Sequence, residues 1–211
     1  MVFKPNFREE VAVTKPYKGT RKSEKPFHYE NLTAYVLSNY ECITAEGLEA
    51  DDLLSVYQSS SSPESTIICS RDKDLRITKG WHYGWECGTQ AAYGPTLVDD
   101  FGSITPEYKQ ESVVKVRGNG LAFFCAQMLM GDGVDNIPGI PRVGPTKTWE
   151  LLGELDTYED MLKAVRDAYR DKYGDEWDVH FLEQAQLLWM VRELHEDGSP
   201  VMFEIPEWLY D

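Results

Sequence analysis

Asp132 and Asp135 stand three residues apart in Gly131-Asp-Gly-Val-Asp-Asn-Ile-Pro-Gly139, a spacing that lets both carboxylates lean the same way over a turn. Oxygen pairs of this kind suit Mg²⁺. Two more acidic groups occur upstream: Glu49, Asp51 and Asp52 within Glu46-Gly-Leu-Glu-Ala-Asp-Asp-Leu-Leu54, and Asp72 and Asp74 within Ser70-Arg-Asp-Lys-Asp-Leu75. Carboxylates in a first helical turn are favoured by the helix dipole without any metal, and aspartate-rich turns are common. Such readings account poorly for three separate clusters, each following a predicted strand or preceding a predicted helix. Gathered in one place these groups would repel one another, and divalent cations resolve that conflict.

The chain continues with Gly139 and Gly144 bracketing Ile-Pro-Arg-Val, after which Pro145-Thr146-Lys147-Thr148 opens an apolar helix through Trp149, Leu151 and Leu152. Glycines admit close backbone approach, and a helix N-terminus attracts phosphate. With Arg142 and Lys147 beside it, the stretch can act as an amide clamp on a nucleic-acid strand; taken alone, it is equally an ordinary capped helix. A second basic strip holds Lys15, Lys18, Arg21, Lys22 and Lys25, with only Glu24 among them. His28, His82, His180 and His195 are isolated, which argues against Ser-His-Asp catalysis.

Several elements must position these residues. Val2 to Val13 is expected to include a short extended segment. Leu32, Tyr35, Val36 and Leu37 predict an amphipathic helix from Tyr29 to Asn39. Cys42-Ile-Thr-Ala45 reads as a short strand and Glu46 to Leu54 as a strand-to-helix turn. Thr66-Ile-Ile-Cys69 is a buried-strand signal, so Asp72 and Asp74 should emerge at the carboxyl end of a parallel strand, where open α/β sheets place their sites. Trp81 to Cys87 reads as an aromatic strand, and Val113 to Val116 as another. Gly118-Asn-Gly120 then turns the chain into an apolar segment, Leu121 to Met130, that delivers Asp132. Tyr158 to Tyr173 and Phe181 to Leu194 have helical periodicity, with Trp177, Trp189 and Trp208 as core.

At 211 residues the chain can bury one substantial core, which favours an α/β domain with a helical lobe. No apolar run is long enough to span a bilayer, and the N-terminus has no signal-peptide apolar region. Cys42, Cys69, Cys87 and Cys125 lack paired metal-ligand spacing, so the expected setting is a reducing cytoplasm. A net charge of -15 speaks against nucleic acid at first sight. The acids, however, concentrate in the motifs and the C-terminal helices, leaving the basic strips free to attract phosphate.

The Gly-x-Glu-Ala-Asp-Asp pattern, the Asp72/Asp74 pair, Tyr17-Lys-Gly-x-Arg21 and the run from Gly131 to Thr148 together resemble the 5′-nuclease superfamily. That group comprises flap endonucleases, the 5′ nuclease domains of bacterial DNA polymerases and phage 5′-3′ exonucleases, the short phage enzymes being most similar. The resemblance implies a Rossmann-like (resolvase/PIN-like) α/β sheet over residues 1–130, then a helix-hairpin-helix DNA-binding region and helical lobe over 131–211. It implies metal-dependent hydrolysis of DNA at duplex ends, nicks or flaps, with two Mg²⁺ or Mn²⁺ ions roughly 4 Å apart generating a hydroxide nucleophile and stabilising the leaving oxygen.

By the same resemblance, Glu49 and Asp51 serve the first ion and Asp72, Asp74 and Asp132 the second, with Asp52 and Asp135 orienting the inner ligands. Lys18 and Arg21 touch the scissile phosphate, and with Asp51 and Asp74 they form the expected catalytic group. Lys15, Lys22, Gly139, Arg142, Gly144, Thr146 and Lys147 join Lys18 and Arg21 as expected DNA contacts, with a monovalent cation allowed at the hairpin. The short stretch from Arg21 to Glu30 leaves little room for a long arch and points to the exonuclease end of the family.

One departure counts against a complete first metal site. The family's fold opens on a strand carrying an aspartate, with another before the Tyr-Lys-Gly-x-Arg run; here Val2-Phe3 is followed by Lys4. Truncation, a strand supplied by a separate polypeptide, or a natural variant with diminished catalysis would each explain it. A sheet lacking its central strand should expose apolar edges, which predicts instability or association. The competing readings are a catalytically impaired DNA-binding module and a single-strand ribonuclease of the same broad fold. A cytoplasmic location is expected, in the host if the chain is phage-encoded.

Overall fold

The run Gly120–Met130 is apolar but for Gln127, and it becomes the central helix of the molecule: Ala122 through Leu129 are all buried. A helix without a polar face has to be covered all round. In the computed structural model, which describes residues 5–22, 24–62 and 64–211, it is packed by helices, a two-stranded hairpin and a short 3₁₀ turn.

The helices in chain order are α1 (Phe7–Val11), α2 (Tyr29–Asn39), α3 (Ala50–Ser60), the central α4 (Gly120–Met130), α5 (Pro145–Leu152), α6 (Tyr158–Tyr173) and α7 (Trp177–Leu188). Strand β1 (Ile67–Cys69) runs parallel to β2 (Gly80–Gly84), with Ile67 opposite Trp81, and β2 pairs antiparallel with β3 (Tyr93–Val98). β4 (Ser103–Lys109) and β5 (Ser112–Asn119) form a separate hairpin against α4. The sheet order β1-β2-β3 leaves β1 at an edge. This is a mixed α/β architecture of small sheets flanked by helices. An extended parallel sheet, as the resemblance implied, is absent among the described residues, where β1 and β2 are the one parallel pair.

One buried apolar cluster runs from Ile68 and Leu75 through α4 to Leu162, Phe181 and Leu209, so the segments before and after residue 130 share a core. Trp177 is buried, while Trp189 and Trp208 pack against the cluster partly exposed. Among the described residues, no helix is long and apolar enough to cross a membrane.

Three local expectations need correction. Residues 7–11 are helical rather than extended, because the Asn6 side chain accepts the Arg8 amide and caps α1; Val2, Phe3 and Lys4 lie outside the described residues. Cys42–Ala45 forms no strand. The last long helix begins at Trp177 and stops at Leu188, where Arg8 draws out the carbonyls of Leu187 and Trp189 with bonds of 3.0 and 2.7 Å. The helix expected over 29–39 does form, yet it contains no buried residue, and Leu32, Tyr35 and Leu37 face solvent.

Candidate metal and nucleic-acid site

Three chain segments converge on one cleft of about 1030 Å³. The first is the start of α3. Glu49 is its N-cap, and Asp52 accepts the Glu49 amide at 3.0 Å in a capping box. That geometry sends Asp51 into the cleft and Asp52 inward. Asp52 is fully buried, with Arg8 donating to its two oxygens at 2.6 and 2.7 Å. Arg8 is itself buried, and its ion pair ties α1 to the base of the site.

The second segment follows β1. Ser70 Oγ accepts the Asp72 amide and Asp72 Oδ1 accepts the Asp74 amide, which winds residues 74–77 into a 3₁₀ turn at the carboxyl end of the parallel strand. Leu75 and Ile77 anchor that turn in the core. Asp74 also accepts a 2.5 Å bond from Gln127 of α4.

The third is the turn after α4. Gly131 ends the helix at φ 70°, and Asp132 and Ile137 exchange backbone bonds of 2.9 and 2.8 Å. The resulting loop points Asp132 Oδ1 at the Val134 amide, 2.8 Å away. A Cβ on Gly131 would lie 2.2 Å from the Ile137 carbonyl oxygen, so this position requires glycine. Asp135 is turned toward the 16–21 segment: Arg21 donates to it at 2.6 Å, Tyr17 at 3.1 Å, and the Lys18 amide donates to its carbonyl at 2.8 Å.

What the motifs concealed is which carboxylates the cations of this cleft pair with. Lys73 Nζ sits 2.7 Å from Asp74 and 2.5 Å from Asp132, and Lys18 pairs with Glu49. Lys73 therefore stands between two of the carboxylates expected to hold one ion. Among the described residues, no three acidic, histidine or cysteine groups close on a single point. The fit to cations is nevertheless visible in the charge balance. Burial, aided by Asp72, Glu49 and Asp52, pushes the Asp51 carboxyl up to about 6. Burial also raises Asp74, against the pull of Lys73. For Asp132, burial is outweighed by Lys73 and the Val134 and Asp135 amides, and its carboxyl is held below the usual range. Carboxylate oxygens crowded into one cleft are the donor set that hard divalent ions take.

The glycine stretch lies outside this cleft. The Gly139 amide is buried and donates to Gln184 at 3.0 Å, Thr146 donates to the Val113 carbonyl at 2.9 Å, and Lys147 pairs with Glu150 at 3.2 Å. Arg142, at φ 70°, is exposed, and Gly144 caps α5 with open space around it. Lys15 and Lys22 are exposed and do not line the cleft. His82 is a core residue bonded to the Thr78 carbonyl at 2.7 Å.

No protein-family model matches the chain. It is 29% identical over 194 residues to DNA polymerase I of Bacillus subtilis (strain 168), covering 81% of this chain and 19% of that protein. To DNA polymerase I of Rhizobium leguminosarum it is 30% identical over 139 residues, 63% of this chain and 12% of the other. A 5′-3′ exonuclease of Buchnera aphidicola is 28% identical over 130 residues, 58% of this chain and 39% of that one. The crystal structure of the T5 D15 protein co-crystallised with metal ions overlaps with a TM-score of 0.42 and 16% identity, over 89% of this chain and 82% of that one. These relatives are consistent with a member of the 5′-nuclease superfamily, as the motifs indicated. The chain spans less than a quarter of the length of the DNA polymerases I it matches.

Proposed function

We propose that this chain is a metal-dependent nuclease that hydrolyses DNA phosphodiesters from a 5′ end, at duplex ends, nicks or flaps. The observation that carries the reading is the meeting of Glu49, Asp51, Asp72, Asp74 and Asp132, from three distant segments, in one cleft that also holds Lys18 and Arg21. The names of the relatives support it, since they include a 5′-3′ exonuclease and DNA polymerases I.

In this reading Asp51, Asp72, Asp74 and Asp132 hold divalent cations, Mg²⁺ or Mn²⁺. When bound, the ions would activate water and offset the charge of the scissile phosphate. The chain's own residues do the positioning. Gln127 fixes the Asp74 carboxylate, the Val134 amide fixes Asp132, and the Arg8–Asp52 pair sets the helix start from which Glu49 and Asp51 project. Lys18 and Arg21, held over the cleft by Glu49 and Asp135, would contact the phosphate and stabilise the charge that develops on it. Lys73 neutralises Asp74 and Asp132 while no ion is present and must yield when one arrives. The segment from α4 through α5 acts as a helix-hairpin-helix contact for duplex DNA, with Arg142 and Lys147 on its exposed side. The solvent-facing apolar side of α2 and the free edge of β1 favour association with a second polypeptide or another copy.

The deciding experiment is cleavage of a 5′-labelled duplex and a 5′-flap substrate in Mg²⁺, Mn²⁺ and EDTA. Products in both metals and none in EDTA are expected; DNA binding without cleavage in any metal would overturn the assignment.

A further inference from the structure

The cleft is not acidic throughout. Besides the carboxylates, Lys18 and Arg21, its lining includes Arg76 of the 3₁₀ turn and Lys115 and Arg117 of β5. Arg76 lies two residues after Asp74, so one short, core-anchored turn offers both a carboxylate and a guanidinium to the cleft. That guanidinium is held in place: it lies 3.8 Å from the centre of the Tyr93 ring, and the Tyr93 hydroxyl accepts a bond from Asn119 at 3.1 Å. Stacking of this kind orients an arginine without occupying its donors.

The charges around Arg76 act on it in both directions. Burial lowers the Arg76 pKa and the neighbouring Arg117 charge adds to that, while Tyr93, Asp72 and Asp74 pull it back up. Among the described residues, Arg76 and Lys115 have no carboxylate within ion-pair distance, and Arg117 pairs only with the exposed Glu107, at 2.8 Å. Glu107 also stands opposite Lys115 across the hairpin. Exposed pairs of this sort contribute little and exchange readily for a stronger anion. Lys18 and Arg21, by contrast, are already committed to Glu49 and Asp135. Arg76, Lys115 and Arg117 therefore bring to the cleft positive charge that no shielded ion pair holds.

We infer that Arg76, Lys115 and Arg117 form a second phosphate-binding wall, which grips the sugar-phosphate backbone of a DNA strand as it leaves the carboxylate centre. The inference rests on the nuclease reading and extends it to where the strand runs. A backbone with one phosphate per ~3.4 Å of strand offers the ladder of anions that cations on two successive outward positions of a β-strand can meet. The hairpin thus acts as a rail along the cleft as well as a cover for α4.

The test is the salt dependence of DNA binding, read by fluorescence anisotropy of a labelled duplex with Ca²⁺ in place of Mg²⁺. Lys115 and Arg117 are exposed, so Lys115→Gln/Arg117→Gln can be made without disturbing the core. The variant is expected to reduce the slope of log affinity against log salt by about 1 to 2, and to weaken binding similarly across sequences. Arg76→Gln should reduce it by about 1. Lys79→Gln, on a different cavity where Lys79 pairs with Asp100, should leave the slope unchanged. Wild-type protein that binds and cleaves DNA while the double variant keeps the full slope would overturn the wall alone. Wild-type protein that neither binds nor cleaves would overturn the nuclease reading and the wall together.

Discussion

Arg8 and Asp52 form a two-pronged ion pair at 2.6 and 2.7 Å, both side chains removed from solvent and 44 residues apart in the chain. Breaking such a pair by removing one partner leaves a buried, unmatched charge. Arg8→Ala should cost about 3–5 kcal/mol in urea denaturation, and Arg8→Met/Asp52→Leu should recover most of that loss. A single variant within about 1 kcal/mol of wild type would show that the pair does not support the fold.

Asp74 Oδ1 accepts from both Gln127 and Lys73. Asp74→Ala is expected to lower Mg²⁺-dependent cleavage at least ~100-fold while DNA affinity in Ca²⁺ stays close to wild type, since the residue holds cations rather than phosphate. Cleavage at the wild-type rate would remove Asp74 from the mechanism.

Lys73 fills the place of an ion between Asp74 and Asp132. Lys73→Met should melt at a lower temperature than wild type in EDTA, and Mg²⁺ should raise its melting temperature by more than it raises that of wild type. Mutual repulsion of the two carboxylates is then relieved only by bound metal. Equal Mg²⁺ responses in the two proteins would place the cation sites elsewhere.

The Asp51 carboxyl, driven by burial and its acidic neighbours to about 6 from 3.8, gives a signed pH effect in metal-free protein. The folded state binds this proton more tightly than the unfolded state does. Its ionisation therefore removes stability as pH rises from near 4 to just above 6, and the loss is complete beyond that. Asp132, whose pKa is depressed, acts in the other direction and at lower pH, its contribution being lost as pH falls through its folded-state value. Denaturation in EDTA across this range should show wild type losing stability relative to Asp51→Asn as pH rises. A constant difference would mean that Asp51 titrates normally.

The edge strand β1 and helix α2 leave Leu32, Tyr35, Leu37 and Ile67 facing solvent. Sedimentation velocity should show mass increasing with protein concentration, and Leu32→Glu/Leu37→Glu should shift the population toward monomer. A wild-type monomer at all concentrations, unfolding in one cooperative step, would contradict this.

The carboxylates could be found from the sequence because each belongs to a short pattern whose spacing is itself the signal: acids at a helix start, acids after a strand, acids in a glycine turn. The central helix was equally legible, since a run from Leu121 to Met130 that is apolar except at Gln127 has only the interior as a destination. Residues whose roles depend on distant partners were not legible. Arg8 looks like one base in a short charged stretch until the fold brings Asp52, Leu187 and Trp189 around it. Lys73 was visible between two aspartates, but its reach to Asp132 spans 59 residues. Lys115 and Arg117 alternate along an ordinary strand, and only the placement of the β4–β5 hairpin beside the 3₁₀ turn aligns them with Arg76. Local spacing determined which groups could carry the chemistry. Tertiary structure decided which charges face one another, because Coulomb energies and burial depend on distances through space that separation along the chain does not encode.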